Sequence, residues 1–355
     1  MKPEVSSRVR WMDTVRGEMI LLVVLYHATT RVTRYDPEAL PWLSDFNNFW
    51  EPFRMPTLVL LSGMLLSRSL SKPRRDYILG KVRNLLWPYC VWSFIFITLL
   101  AATGAGQSQD SLTGQLLGIA TGTATYLWFL SFLFAYYIIS LFISKDVRLF
   151  LIPVLLAASA PLNYIDGYYQ LYKFLFMLAF FWLGDAAMNS QFFDRAWVRS
   201  WWALSGAAIV AGVAGVSAVL LGTQVRYMAL YCIPVAAGIL VIIRAAQLIG
   251  DTKVARLLQS VGSETIVYYT SHYTIIAVAY YVLARALPVD QPLVLLFAGL
   301  LSALGGGFAL VWLRHNLKAF DVLFVLPSYP RLSVLWLRPA RRRAIDSALT
   351  RASKQ

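Results

Sequence analysis

Apolar stretches long enough to cross a bilayer recur from one end of the chain to the other, and nothing else constrains the fold as strongly. Ten stand out, at about 17–33, 50–70, 83–103, 125–144, 147–161, 170–188, 202–221, 227–248, 265–286 and 291–313. In lipid every backbone amide must find its partner within the protein, so only helices or closed barrels span, and runs of this length favour helices. Composition agrees. Of the 355 residues 58% are hydrophobic and 14% charged, against about a quarter charged in a soluble domain. The expected fold is all-α, a polytopic transmembrane bundle of about ten spans. One membrane domain covers 1–325. A basic tail over 326–355, with Arg341, Arg342 and Arg343, suits the anionic inner surface.

A net charge of +14 would fit a nucleic-acid partner, but its distribution argues for topology instead. With the N-terminus in the cytoplasm, all but six of the 32 Lys and Arg residues fall on the inner side. The exceptions are Arg31, Arg34, Arg54, Lys173, Arg226 and Arg285. An even number of spans then returns both termini to the cytoplasm. No signal peptide is expected, because the charged lead runs past Arg16 and no small-residue cleavage site follows. Cys90 and Cys232, each inside an apolar span, are too few for a disulfide framework or a zinc site, and no metal is expected.

Only three histidines occur, and two fall inside spans. His27 follows Arg16 by eleven residues, which is three helical turns plus about 20°. The two share a helix face, with the imidazole about 16 Å deeper and Asp13 about 40° off the same stripe. An ionisable group at that depth is functional by default, although a buried histidine bonded to a backbone carbonyl is the bland alternative. His272 lies at nearly the same depth in the ninth span, on a stripe with Thr265 and Tyr269. Two histidines at one level suggest a shared central cavity.

The second span contributes Arg54 between Pro52 and Pro56, then Ser62-Gly63, where a helix or a thin ligand can approach closely. Arg54 either snorkels to the outer surface or faces a protein-lined cavity. The basic inner loop with Arg74, Arg75, Lys81 and Arg83 suits a phosphorylated cytoplasmic ligand, and positive-inside bias explains it equally well. Trp128 and Phe129 read first as an interfacial aromatic belt. Gly118-x-x-x-Gly122 and the Gly206, Gly212, Gly215 stretch read as helix-packing faces.

Together these segments resemble the acyltransferase 3 family of integral-membrane O-acyltransferases. The matching pieces are Asp13-x-x-Arg16-Gly17 with His27, Phe53-Arg54-Met55-Pro56 with Ser62-Gly63, the basic stretch through Arg83 to Pro88-Tyr89, Leu127-Trp128-Phe129, and Gly262-x-x-Thr265 followed by Tyr269 and His272. They follow the family's order and cover most of the chain. Glu18 departs from the usual apolar or small residue, and Thr265 replaces a common serine while keeping the hydroxyl.

The resemblance implies transfer of an acyl group, usually acetyl, from cytoplasmic acetyl-CoA or another acyl-CoA to a hydroxyl of a carbohydrate or glycolipid at the outer face of the cytoplasmic (inner) membrane, as in polysaccharide modification. His27 would be the general base, with a covalent acyl-histidine relay left open. Arg16, oriented by Asp13, would bind the donor or its developing charge. Arg54, Ser62, Gly63, Trp128, Thr265, Tyr269 and His272 would contact substrate, and Arg74, Arg75, Lys81 and Arg83 the donor. A transporter or flippase for a polar or lipid-linked solute is the rival reading, since the same buried groups would serve as a binding or proton-coupling site.

Overall fold

The computed structural model describes residues 7–103, 112–122, 125–162, 164–221, 227, 229–286 and 291–327. Among them the chain is helical throughout its regular structure, with no strand. Six helical stretches are long and apolar enough to cross a membrane, namely Arg74–Thr103, Tyr169–Asn189, Trp201–Leu220, Ala229–Ile249, Thr265–Leu283 and Pro292–Asn316. The tail beyond 327 lies outside the described residues.

The first helix, α1 (Ser7–Tyr35), starts ten residues before the apolar run because its lead packs on protein rather than lipid. The helix α2 (Pro41–Gly63) begins with Pro at its N-terminal turn, where the missing N–H costs nothing, and takes in much of the expected outer loop. After the short α3 (Leu66–Leu70), α4 (Arg74–Lys81) runs through a wider π-helical stretch at Val82–Leu86 into α5 (Trp87–Thr103). Pro88 lies just after that stretch. Its ring crowds the carbonyl four residues back and removes a donor, which a local widening accommodates.

The segment expected to be an outer loop contains a helix, α6 (Leu112–Thr121), pinned by the Tyr89 hydroxyl, which donates to the Ile119 carbonyl at 2.6 Å. Gly122 ends that helix at φ +75° as a C-terminal stop, and a Cβ there would lie 2.5 Å from the Ser131 hydroxyl oxygen, so it is also a point of close approach. Then follow α7 (Trp128–Phe142), α8 (Lys145–Leu162), α9 (Tyr169–Asn189), α10 (Trp201–Leu220), α11 (Cys232–Ile249), α12 (Lys253–Ser263), α13 (Thr265–Ala286), α14 (Pro292–Asn316) and α15 (Lys318–Asp321).

Helix α1 is the central element, packed against α2, α11, α12, α13 and α14, while α2 also meets α9 and α10. Two close crossings set this arrangement. A Cβ on Gly262 would lie 1.8 Å from the Asp13 carbonyl oxygen, and one on Gly63 would lie 1.8 Å from that of Phe181. Backbone therefore rests on backbone at α1/α12 and α2/α9, which only glycine permits. At Gly63 the close approach is that of a helix. A Cβ on Gly206 or Gly212 would meet nothing within 4 Å, while one on Gly215 would meet the Phe49 ring at 2.5 Å, so the expected packing face is confined to its last member.

At the far end of α9 a buried ion pair joins Arg148 and Asp185 at 3.1 Å. Arg148 also donates to the carbonyls of Ser140 and Ile143, and Asp185 accepts from the Ser67 amide and hydroxyl and from Asn189. This network ties α3, α7, α8 and α9 together. On the side carrying the start of α13, Arg314 bridges Glu264 and Asp321 at 2.9 Å each, and the third histidine, His315, lies 3.0 Å from Glu264.

Candidate active site

The two span histidines meet. His27, on α1, and His272, on α13, have ring centroids 5.1 Å apart. Aromatic rings enclose them: Tyr273 is 4.7 Å from His27, Tyr126 is 6.3 Å from His27 and 5.4 Å from His272, and Phe96 backs both tyrosines at 5.1 and 5.4 Å. Tyr126 is held by its hydroxyl, which donates to the Thr270 carbonyl and shares a 3.0 Å bond with Thr274. Tyr269 donates to the Tyr126 carbonyl at 3.0 Å.

Of these two histidines, only His27 lines a cavity. His27 lines a cavity of about 180 Å³ with Tyr26, Glu51, Arg54, Tyr126, Trp128 and Tyr269, and Lys173 and Tyr227 complete its wall. His272 is 0% exposed and lies behind His27, outside the lining.

Arg54 does not snorkel. It is 4% exposed, donates to Asn47 Oδ1 at 3.2 Å and the Leu22 carbonyl at 3.4 Å, and lies 4.4 Å over the Tyr26 ring. Its polar partners include a backbone carbonyl of α1, and the cavity reading of this arginine holds. Trp128 is a cavity wall rather than part of a belt, with the ammonium of Lys173 3.3 Å from its ring centroid. Lys173 is itself only 4% exposed. Phe129 is buried against Tyr269 at 5.3 Å.

A second cavity, of about 190 Å³, lies further along the same helices. Its lining includes Ser62, Ser69, Lys72, Tyr77, Lys81 and Tyr137. From Arg54 to Ser62 on α2 is about 12 Å, and from Trp128 to Tyr137 on α7 about 13 Å. The two cavities thus lie end to end along α2 and α7. Lys81 donates to Ser69 at 3.1 Å and stacks 3.3 Å from the Tyr137 ring centroid. The Tyr137 hydroxyl donates to the Ser62 carbonyl at 2.8 Å, while the Ser62 hydroxyl is bonded to Leu58.

The remaining sequence candidates are dispersed. Asp13 and Arg16 form a 3.0 Å pair three turns below His27, near the α12 crossing, and they do not touch its ring. Thr265 turns its hydroxyl to the Gly262 carbonyl at the foot of α13. Arg74 and Arg75 are exposed on α4, with Arg74 stacked 5.0 Å from Phe142. Arg83 donates to the Leu326 carbonyl at 2.8 Å, holding the chain that follows α15 rather than lining either cavity. Among the described residues no three His, Cys, Asp or Glu side chains come together as a metal group.

Sequence reasoning missed Lys173, Glu51, Tyr126 and Tyr273. Lys173 carried a usable signal, an ionisable residue inside an apolar span. The tyrosines carried none, since aromatic residues are common throughout such helices.

Helices long and apolar enough to cross a membrane, a buried histidine opening on a polar-aromatic cavity and a second cavity bearing Lys72, Asp76 and Lys81 define a class of multi-pass membrane protein with a polar interior. The chain belongs to the acyltransferase 3 family, whose acyltransferase domain matches residues 9–312. It is also similar to inner membrane protein YcfT of Escherichia coli (strain K12), with 26% identity over 179 residues. That similarity covers 44% of this chain and 49% of YcfT, about half of each. No solved structure matches the chain.

Proposed function

We propose that the protein transfers an acyl group, acetyl in the simplest case, from cytoplasmic acyl-CoA to a carbohydrate hydroxyl on the outer side of the cytoplasmic membrane. The observation that carries this reading is His27 at the edge of one cavity, with a second, lysine-bearing cavity beyond it along the same two helices. The reading adopts ten spans with both termini inside, which puts the Lys72/Lys81 cavity inward and the His27 cavity outward. Donor phosphates meet Lys72 and Lys81, with Arg74 and Arg75 exposed nearby on α4. The acceptor enters between Trp128, Tyr169 and Tyr227, aromatic faces suited to the apolar side of a sugar ring.

In the reaction, a neutral His27 nitrogen takes the proton of the acceptor hydroxyl. The oxygen attacks the thioester carbonyl carbon, a C–O bond forms and the C–S bond breaks. The proton passes from His27 to the departing CoA thiolate, so the enzyme ends as it began. Arg54, about 27 residues beyond His27 in sequence yet lining the same cavity, supplies positive charge near the developing oxyanion. Arg16, held by Asp13, acts at the donor end through the bound acyl-CoA.

Purified protein given acetyl-CoA labelled in the acetyl group and a surface glycan tests the reading. Label in ester linkage to the glycan is expected, and its loss in His27→Ala. Counterflow of an unmodified solute with no ester formed would instead establish the transporter reading.

A further inference from the structure

His272 Nδ1 lies 3.0 Å from the Tyr268 carbonyl oxygen and 2.8 Å from that of Tyr269. Both are pure acceptors, so Nδ1 carries the hydrogen and Nε2 carries the lone pair. That Nε2 is buried with no hydrogen-bond partner among the described residues. An acceptor left this way in a protein interior loses the hydrogen bonds it would make in water, so a donor is called for. The hydroxyls of Tyr126 and Tyr269 are directed to the carbonyls of Thr270 and Tyr126. The neighbouring ring that bears an N–H is His27, at 5.1 Å between centroids. Two imidazoles joined by an N–H···N bond of about 2.9 Å have their centroids about 5 Å apart, so a small ring rotation suffices.

We propose that His272 is the positioning residue for His27: its Nε2 accepts a hydrogen bond from one His27 nitrogen and thereby keeps the other nitrogen unprotonated and turned to the outer cavity. This rests on the reading of His27 as the base, and it replaces the expectation that His272 contacts the acceptor. Being fully buried behind His27, His272 acts only through it. In the reaction His27 becomes imidazolium when it takes the acceptor proton, and its N–H to His272 strengthens. The proton gained at the cavity-facing nitrogen then leaves with the CoA thiolate. His272 neither gains nor loses a proton, because its Nδ1–H stays on the two carbonyls. The tautomer and orientation of the base are thus set by a neutral partner, where a carboxylate commonly does this work.

With three histidines in the chain, the protein labelled with nitrogen-15 histidine gives three imidazoles to resolve, assigned through His315→Gln and His27→Ala. The wild type is expected to show His272 as the Nδ1–H tautomer and His27 as a single tautomer with one hydrogen-bonded N–H. His272→Phe, which removes the acceptor, should convert His27 to a mixture of tautomers. His272→Gln, whose amide oxygen can accept, should largely restore the single form.

The kinetic arm follows acetyl-CoA consumption with water as the acceptor. His272→Phe should lower kcat at least tenfold with KM for acetyl-CoA within twofold, and the His27→Ala/His272→Phe double variant should be no slower than His27→Ala alone. A tautomer mixture at His27 in the wild type, or a His27 spectrum unchanged by His272→Phe, overturns the proposal. Wild-type protein that consumes no acetyl-CoA would count against the transferase reading, while the spectra would still decide the role of His272.

Discussion

His272 lies behind His27 with its ring 5.1 Å away, and of the two only His27 opens on the cavity walled by Trp128 and Arg54. Two residues 245 positions apart in sequence are thereby given unequal tasks. The front ring borders the cavity and the rear ring packs behind it. Helix α1 makes this possible. Its central place in the bundle puts His27 where α2, α7, α9 and α13 converge.

Replacing His27 by alanine removes the base while leaving the lysines of the second cavity intact. The expected result is a fall in kcat of about two to four orders of magnitude, with acetyl-CoA affinity little changed. Steady-state transfer and equilibrium binding of labelled acetyl-CoA, measured on the same preparation, check both halves.

Lys173 is packed on Trp128 inside the outer cavity, and a desolvated cation–π contact is worth about 2 kcal/mol. Lys173→Met keeps the length of the side chain and loses its charge. Acceptor KM should rise about tenfold with binding of acetyl-CoA unaltered. An equal loss of donor affinity would show that the two cavities are not separate in function.

At the other cavity, Lys81 bonds Ser69 and stacks on Tyr137. Lys81→Met should weaken acetyl-CoA binding by about one order of magnitude or more, since a hydrogen bond to a charged group is worth about 1.5–3 kcal/mol. Acceptor KM should not move. Titration with labelled acetyl-CoA measures the first, and transfer at saturating donor the second.

The Arg148–Asp185 pair is a matter of stability, not chemistry. Either single change, Arg148→Met or Asp185→Leu, leaves a buried charge without its counterpart and should cost about 3–5 kcal/mol. The double variant should be milder than either single one. Thermal loss of monodispersity, followed by size-exclusion chromatography, gives the ranking.

Much of the helical layout could be read from hydropathy, because a span is a property of about twenty consecutive residues. The ends of helices were harder. Ser7 to Arg16 and Pro41 to Trp50 are polar enough to pass for loops, yet each packs one side on the bundle. His27 and Tyr269 are legible as cavity residues because polar groups at such depth need a reason, whereas Arg54 fits a snorkelling residue equally well and Trp128 reads as an aromatic belt until the family resemblance names it. Thr265 shares a helix stripe with Tyr269 and His272, and Gly63 belongs to a small pair suited to close approach, but their contacts are a local carbonyl and a neighbouring backbone. Lys173 joins Trp128 across two helices, a convergence that a helical repeat within one segment does not reveal. Nor does it reveal that His272 is screened by His27, since depth along an axis says nothing of which ring stands in front.

Sealed proteoliposomes test the central claim most directly, with labelled acetyl-CoA trapped inside and the glycan acceptor supplied only outside. The account predicts labelled ester on the external glycan from wild-type protein, and none above background from His27→Ala. Ester formation only when donor and acceptor share one compartment would contradict the arrangement of a donor cavity and an acceptor cavity lying end to end across the membrane.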